Sequence, residues 1–209
     1  MQFIEDLNWR YATKAMSGEE VSDAKINIIL EAISLAPTSS GLQPFEILVV
    51  KGKELKEKIK PIASNQSVIT DCSHLLIFTA WDNYTEERID KTFEISHGIR
   101  GFNEQWDNYR KFLINTYVGR DKEQNFEHAA RQAYIAFSFA IAAAATEKVD
   151  ATPIEGFKPE ELDLLLGLKE KGLRSVLLLP LGYRNHDADW LINLKKVRKP
   201  KADIIKELD

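Results

Sequence analysis

The spacing of apolar and polar residues along the chain predicts an alternation of helices and strands. Helical periodicity covers residues 3–11, 23–36, 53–60 and 129–146, and a longer helical stretch over 86–118 is interrupted near residues 98–101. Pro37 is expected to end the second of these helices, and Pro159 to begin a further short one. The apolar face of the second helix is expected to consist of Ala24, Ile28, Ala32 and Leu35.

Short apolar runs between the helices predict three strands. They comprise residues 45–50, 75–80 and 175–179, and Pro180 is expected to close the last one. The second run is apolar on both faces, which favours a central position in a sheet. Because no internal repeat, low-complexity tract or linker interrupts the pattern, residues 1–209 are interpreted as a single α+β or α/β domain.

The helix over residues 129–146 is apolar on nearly all sides. Such a helix must be covered all round, which a chain of this size achieves most easily by forming a dimer. Its longest apolar stretch is interrupted by Ser138 and is shorter than the ~20 residues that cross a bilayer. The N-terminus is acidic and lacks the apolar core of a signal peptide, so a cytoplasmic protein without a membrane partner is expected.

Composition and charge narrow the classes of function. Hydrophobic residues make up 44% of the chain, which is enough for a substantial core. The formal net charge of −4 provides no electrostatic footprint for nucleic acid, so no nucleic-acid partner is expected. Cys72, the single cysteine, is expected to be a core residue. No metal site is expected, and none of the four histidines is assigned a catalytic role.

Four local groups of polar residues are candidates for one common ligand. Arg10 and Lys14 lie four residues apart and project together if a helix persists, whereas two further cations lie two apart in an extended tail. Those two cations are Lys196 and Arg198. The third group is a hydroxyl-rich loop, Thr38 to Ser40 with Gly41, and the fourth is a pair of amide side chains, Asn65 and Gln66. Charge-assisted donors of this kind bind phosphate, although each group alone is more typical of a solvated surface.

The loop over residues 152–157 is a further candidate. Gly156 has no side chain, so its backbone can approach a flat ligand closely, and Pro153 stiffens the approach. By itself, an ordinary tight connection is an equally good interpretation of this loop. An isoalloxazine ring needs such a close backbone on one edge, and a cation where negative charge collects on reduction.

Together these segments resemble the FMN-dependent nitroreductase family, in its branch of oxygen-insensitive NAD(P)H nitroreductases, flavin reductases and dihydropteridine reductases. The matching segments follow the family's order nearly from end to end. They are residues 10–14, 36–44, 65–74, 131–134, 153–157, 167–172 and 196–198. The resemblance implies a nitroreductase-like α+β fold, with a mixed central sheet wrapped by helices, in an intertwined homodimer that binds FMN at the subunit interface.

The resemblance also implies which residues bind FMN. Those expected at the phosphate are Arg10, Lys196 and Arg198. Those expected along the ribityl chain and the polar edge of the ring are Tyr11, Ala12, Lys14 and Asn65. Those expected to flank the ring, with a backbone N–H near N5, are Pro153, Ile154, Glu155 and Gly156. Those expected to reach in from the other subunit are Pro37, Thr38, Ser39, Gly41 and Gln132.

Three positions depart from the family's pattern. Val68 stands where a second cation near the N1–C2 edge is common, which leaves Lys14 alone there and should make the flavin harder to reduce. Tyr11 and Ala12 replace a more usual His-Ser pair. Leu113 falls about where relatives often carry an aromatic residue over the flavin, and it is expected to contact the substrate in a more open cleft.

The activity implied by the resemblance is that of an FMN oxidoreductase with ping-pong kinetics. NADH or NADPH would pass a hydride to flavin N5, and a nitroaromatic, quinone, flavin or pteridine acceptor would take it in turn. Lys14 would stabilise the reduced flavin, and the backbone at Glu155 and Gly156 would accommodate the change at N5. No Gly-x-Gly-x-x-Gly fingerprint follows a strand, so no separate dinucleotide-binding fold is expected.

Three alternatives remain open from the sequence. One is a reductase dedicated to a dihydropteridine or to free flavin. Another is an FMN-binding dimer without turnover, acting as a redox sensor or regulator, which the missing cation at Val68 keeps open. The last is a structural dimer with an empty site, which would leave Arg10, Lys14, Lys196 and Arg198 without a common ligand.

Overall fold

Helices surround a small sheet in the computed structural model, which describes residues 1–208. The helices are α1 (Gln2–Trp9), α2 (Asp23–Ser34), α3 (Lys53–Ile59), α4 (Val68–Asp71), α5 (Glu86–Arg100), α6 (Glu104–Tyr117), α7 (Lys122–Thr146), α8 (Pro159–Leu166) and α9 (Lys201–Ile204). The strands are β1 (Phe45–Val50), β2 (His74–Trp81), β3 (Asp150–Ala151) and β4 (Leu173–Gly182). Among residues 1–208, no helix combines the length and the apolar character that crossing a membrane requires.

The sheet has the order β1-β2-β4-β3, and each pair of neighbouring strands is antiparallel. The central position predicted for β2 is confirmed, because it lies between β1 and β4 and is almost wholly buried. The mixed sheet that the resemblance implied is not found in the described residues, since their strand pairs are all antiparallel. Pro180 does not end β4, because its carbonyl still accepts a hydrogen bond of 3.1 Å from the N–H of Thr152.

Two helical layers cover the two faces of the sheet. On one face α2 and α7 pack against Leu76 and Phe78 of β2. The Phe78 ring meets Phe137 of α7 edge to face, at 5.0 Å between centroids. On the other face α3, α4 and α8 pack against Leu75 and Ile77. The alternation of side chains along β2 therefore supplies both cores.

The buried face of α2 differs from the predicted one. Its interior residues are Ile26, Ile29 and Ile33, whereas Ile28 is 47% exposed and Leu35 is 70% exposed. Both stripes have helical spacing and both are apolar, so periodicity alone could not choose between them. The structure thus leaves an apolar stripe of α2 uncovered.

The start of β2 is fixed by buried polar contacts. Lys56 of α3 is 5% exposed, and its ammonium donates to the carbonyls of Cys72 and Ser73 at 2.6 and 3.1 Å. Cys72 is a core residue, as predicted, and burial raises the pKa of its thiol to about 11. Ser73 Oγ accepts the N–H of Val21 at 2.8 Å and shares a second hydrogen bond of 2.8 Å with Nδ1 of His74.

This arrangement keeps His74 neutral. Burial lowers the pKa of its imidazole, and the nearby ammonium groups of Lys51 and Lys56 lower it further against the opposing effect of Asp23 and Glu20. Since the folded-state pKa lies below the unfolded value of 6.5, the unfolded chain takes up a proton first as the pH falls. His74 therefore costs the fold no stability well above that value, and it destabilises the fold increasingly on acidification.

We expect the free energy of unfolding to decrease as the pH falls from about 7.5 to 5.5, with His74 contributing up to about 1.4 kcal/mol per pH unit. Urea unfolding at several pH values measures this. His74→Asn keeps an acceptor near Nδ1 but cannot titrate, so its stability should depend less on pH. His186, which is exposed, gives the control: His186→Asn should retain the wild-type dependence. Equal pH dependence in wild type and His74→Asn would contradict the assignment.

Candidate functional site

Three cations converge where α1 ends. Arg10 is the first residue after the helix and has extended backbone angles, φ −70° and ψ 142°. The C-terminal segment returns to it, because the Lys196 ammonium donates to the carbonyls of Leu7 at 2.6 Å and Arg10 at 2.5 Å. Burial lowers the pKa of Arg10 and of Lys196, and repulsion from Arg198 lowers both further. The structure therefore brings together the three residues predicted to hold a phosphate.

The Arg10 guanidinium has the unsatisfied donors that an anion would complete. Its Nε and Nη2 atoms are buried and have no hydrogen-bond partner among residues 1–208. Buried donors are rarely left unpaired, and a guanidinium pairs best with a phosphate or carboxylate that accepts two parallel bonds. The neighbouring Lys196 and Arg198 add charge of the same sign. The site fits a phosphate group.

Asp189 fixes the chain on the other side of Arg10. Its carboxylate is 3% exposed and accepts hydrogen bonds from the Tyr11 hydroxyl at 2.7 Å, the Thr13 hydroxyl at 2.5 Å and the Leu191 N–H at 3.0 Å. Burial alone would raise the pKa of Asp189, but these donors outweigh it and the pKa is lowered. Burial and the bond to Asp189 raise the pKa of Tyr11 to about 12, so its hydroxyl stays protonated and committed to Asp189.

Lys14 lies on an anchored segment and is free to meet a ligand. The Thr13 carbonyl accepts a buried hydrogen bond of 2.9 Å from the hydroxyl of Thr152. Ile154 in turn exchanges two backbone hydrogen bonds, each of 3.0 Å, with Leu178 of β4. These bonds hold the segment of Lys14 beside the 152–156 loop. The Lys14 side chain is exposed and makes no hydrogen bond or ion pair within residues 1–208.

Gly156 lies at the centre of a tight turn that is held from two sides. The Phe157 N–H donates to the Glu155 carbonyl at 2.9 Å, which closes a three-residue turn. The Ser64 hydroxyl donates to the Gly156 carbonyl at 3.2 Å, and the Tyr134 hydroxyl donates to the Glu155 carboxylate at 2.8 Å. Burial and this bond raise the pKa of Tyr134 to about 12. The backbone of the turn is thus preset for a close approach.

Asn65 is carried to the same turn by strained backbone. Ser64 and Asn65 have φ angles of 56° and 55°, in the left-handed region that residues other than glycine rarely adopt. Such strain persists only where surrounding structure enforces it, and it concentrates at functional sites. Val68, three residues on, is 3% exposed and packs in the core rather than lining an open cleft.

The residues predicted to reach in from another subunit form a second group. Gln132 of α7 is 6% exposed, and its carboxamide accepts from the Ser39 N–H at 2.8 Å and donates to the His128 carbonyl at 3.1 Å. Thr38 Oγ1 accepts the Gln43 N–H at 3.2 Å. Gly41 provides a φ of 65° within this turn, and Pro37, just before it, is exposed. Because the oxygen and the nitrogen of its carboxamide are both hydrogen-bonded, Gln132 mainly supports this loop.

The two groups are linked through α7 rather than by direct hydrogen bonds. Among residues 1–208, no hydrogen bond joins the loop at 37–41 or Gln132 to the segments 10–14 and 153–156, whereas Tyr134, two residues along α7 from Gln132, bonds to Glu155. A groove of about 1390 Å³ opens beside the loop, away from Arg10. Its aromatic lining is Phe45, Trp81, Phe93, Trp106 and Tyr109. The predicted site residues of one chain therefore form two groups, one around Arg10 and one around the loop at 37–41.

Leu113 differs from its expected role. Its side chain is 2% exposed and packs in the interior with Tyr84 and Phe93. It is too deeply buried to contact a substrate in an open cleft. The neighbouring Phe112, 60% exposed, is the aromatic residue of this turn of α6 that faces outward.

Asp189 and Tyr134 were missed by the sequence analysis. Asp189 lies in a mixed polar segment after β4, and nothing in its spacing marks it as buried. Tyr134 belongs to one of the matched segments, but its bond to Glu155 depends on how α7 packs. Ala12 is partly buried between Tyr11 and Thr13 and offers only its backbone to a polar ligand.

Comparison with known proteins gives a consistent result. The sequence model described as the nitroreductase family matches residues 7–183. The chain is 28% identical over 211 residues to the major NAD(P)H-flavin oxidoreductase of Aliivibrio fischeri, covering 97% of this chain and 96% of that protein. It is also 28% identical over 214 residues to the oxygen-insensitive NAD(P)H nitroreductase of Salmonella typhimurium, covering 95% and 96%.

Solved structures show the same fold. A nitroreductase family protein from Streptococcus pneumoniae superposes with a TM-score of 0.83 at 22% identity, covering 99% of this chain and 100% of that one. A protein from Exiguobacterium sibiricum solved in complex with FMN gives 0.81 at 21% identity, covering 99% and 97%. The predicted nitroreductase-like α+β fold is confirmed.

We expect Asp189→Asn to lower the free energy of unfolding by about 1.5–3 kcal/mol, because a buried carboxylate that accepts several donors is replaced by an amide that cannot accept them all. Urea unfolding at neutral pH measures the loss. Asp187→Asn, at an exposed aspartate two residues earlier, is the matched control and should change stability little. Equal free energies of unfolding for the two variants would show that the hydrogen bonds of Asp189 make no net contribution to stability.

Proposed function

The chain belongs to the nitroreductase family, and from that premise we propose that it is an FMN-dependent oxidoreductase that uses NADH or NADPH to reduce a small-molecule acceptor. The observation that carries the proposal is the buried guanidinium of Arg10, whose donors are unpaired although two further cations lie close by. Residues 1–209 act as a single FMN-binding domain. The names of the Aliivibrio and Salmonella proteins, a flavin oxidoreductase and a nitroreductase, support this activity.

The residues divide the binding of FMN between them. Arg10, Lys196 and Arg198 hold the phosphate, as charge-assisted donors do. Tyr11 and Ala12 line the ribityl chain that joins the phosphate of FMN to its ring, and Asn65 contacts the polar edge of the ring. Pro153 and Ile154 flank the ring with the turn that follows them. When bound, FMN supplies the two-electron chemistry that no side chain offers.

Lys14 and the Gly156 turn are the groups that tune the reaction. An ammonium without a competing partner stabilises negative charge that develops beside it, and Lys14 is such a group. The turn at Glu155 and Gly156 is held by Tyr134 and Ser64, so its backbone N–H does not need to reorganise during the reaction. No side-chain acid or base is required for hydride transfer. Donor and acceptor occupy the same open cleft in turn, which gives ping-pong kinetics.

The active form is a homodimer. Each chain carries two half-sites, which are the loop of Thr38, Ser39 and Gly41, supported by Gln132, and the segments around Arg10. The loop of one subunit completes the site when it meets the Arg10 side of the other subunit. The open face of α7 and the uncovered stripe of α2 supply the apolar surface for this contact. Its exposed residues are Ile28 (47%), Leu35 (70%), Tyr134 (41%), Ile135 (37%) and Phe139 (41%).

The acceptor class is aromatic and small. The groove beside the loop is lined by tryptophan, tyrosine and phenylalanine side chains, which suit a flat nitroaromatic, quinone, flavin or pteridine. A sensor without turnover is not favoured, since the family model and relatives named as a flavin oxidoreductase and a nitroreductase support an enzyme.

We expect the purified protein to bind FMN and, under anaerobic conditions, to lose the flavin absorbance bands when one equivalent of NADH or NADPH is added. The faster donor defines the nucleotide preference. Lys14→Gln removes the charge at similar length, so it should slow the bleaching while leaving most FMN binding intact. Lys53→Gln, at an exposed cation of α3 that is not among the proposed site residues, is the control. Bands that persist in the wild type would refute the proposed activity, and a protein that takes up no FMN would refute the cofactor.

We expect Phe139→Glu to convert the protein from dimer to monomer, because a buried charge on an apolar interface costs several kcal/mol. Sedimentation equilibrium over a range of concentrations measures the association. Leu164→Glu replaces an apolar side chain of α8 that is 86% exposed and serves as the control, which should remain a dimer. A wild type that sediments as a monomer would contradict the homodimer.

A further inference from the structure

Arg184, just after β4, lies between two aromatic rings that flank the phosphate site in the sequence. Its guanidinium carbon is 4.3 Å from the centroid of the Trp9 ring and 4.5 Å from that of Tyr11. Both distances are well within the range of a favourable cation–π contact. In the sequence, Arg10 is the residue between Trp9 and Tyr11. One planar cation thus contacts the residues on both sides of the proposed phosphate ligand.

Asp150 fixes Arg184 in place. The carboxylate, 2% exposed, receives Nη2 at 2.6 Å and Nε at 3.0 Å, and it also accepts the Arg184 backbone N–H at 2.9 Å. This fork-to-fork geometry is the strongest arrangement of the pair and defines the plane of the guanidinium. The Arg184 side chain is itself only 13% exposed. Its position is therefore set independently of any ligand.

The stack holds the residues on both sides of Arg10. Trp9 is the last residue of α1, and Arg10 has extended backbone angles, so the chain leaves the helix at this point. Because the rings of Trp9 and Tyr11 are both held on Arg184, the backbone of Arg10 between them is fixed. The Arg10 guanidinium lies within electrostatic reach of Arg198 and of the Asp150–Arg184 pair. The Lys148 ammonium, 5.1 Å from the centroid of the Trp9 ring, limits the motion of that ring further.

We propose that Arg184, clamped by Asp150 between Trp9 and Tyr11, is a positioning residue that presets Arg10 for the phosphate of FMN. This inference rests on the proposed function. Asp150 and Arg184 act on the pKa of Arg10 in opposite directions, with the effect of Asp150 the larger, so repulsion from Arg184 does not dominate and its main effect is geometric. A lysine keeps the charge but has neither a planar face for two rings nor a fork for the carboxylate.

The test compares the binding of FMN and of riboflavin, which lacks the phosphate, to the full-length protein by flavin fluorescence. Arg184→Lys keeps Asp150 paired with a cation, so folding should be retained. Trp9→Leu removes one ring while leaving the Arg184–Asp150 pair intact. The matched control is Arg174→Lys, since Arg174 also stacks on a ring, 3.5 Å from the Phe126 centroid, and pairs with Glu123 at 2.8 Å, both of them outside the proposed site. Arg10→Met gives the benchmark for loss of the contact itself.

We expect Arg184→Lys and Trp9→Leu each to raise the dissociation constant of FMN at least about fivefold, and Arg10→Met to raise it more, while riboflavin binding changes little. Competition of inorganic phosphate with FMN should weaken in the same variants, and Arg174→Lys should behave as wild type. Unchanged FMN affinity in Arg184→Lys, or an equal loss for FMN and riboflavin, would overturn the inference. Failure of the wild type to bind FMN would instead overturn the proposed function, so the two outcomes are distinguishable.

Discussion

The packing of α7 against the sheet is the constraint on which the rest of the structure depends. Its inner face buries Phe137 and a series of alanines against β2 and β4. From that fixed axis Gln132 holds the Ser39 loop, and Tyr134 holds the Glu155 turn. Just beyond its C-terminus, Lys148 pairs with Asp6 and covers Trp9. One helix, positioned largely by apolar burial, therefore sets the Ser39 loop, the Glu155 turn and the support of the proposed phosphate site.

Repulsion among cations is the cost of the proposed phosphate site. Arg10, Lys196 and Arg198 lower each other's stability in the charged state, as the lowered pKa values of Arg10 and Lys196 show after the effect of burial. Backbone carbonyls at the end of α1 offset part of this cost, because the helix terminus carries partial negative charge. A bound dianion would offset the remainder. The same arrangement that destabilises the empty chain thus provides affinity for the ligand.

The sequence predicts the elements better than it predicts their faces. Strands β1 and β2 and the break between α5 and α6 follow from apolar runs and glycines, because those signals are local. The buried face of α2 and the depth of Leu113 depend on which neighbour covers each stripe, which is not a local property. Strand β3 is two residues long and too short to give a periodic signal. The resemblance named Arg10 and Glu155, but the residues that orient them, Arg184 and Tyr134, become visible only when distant segments meet.

Unsatisfied and strained groups occur both at the proposed site and away from it. Arg10 has two buried donors without a partner, and four other residues each bury one such atom, namely His74, His97, Trp106 and Asn125. Left-handed backbone occurs at Ser64 and Asn65, and also at Ser40, Gln43 and Lys148. Each such feature costs about 1–3 kcal/mol, which the well-packed elements on both faces of the sheet offset wherever it occurs. An unpaired group alone therefore does not mark the site. What distinguishes Arg10 is that two further cations lie near its unpaired donors, because a bound anion stabilises that combination.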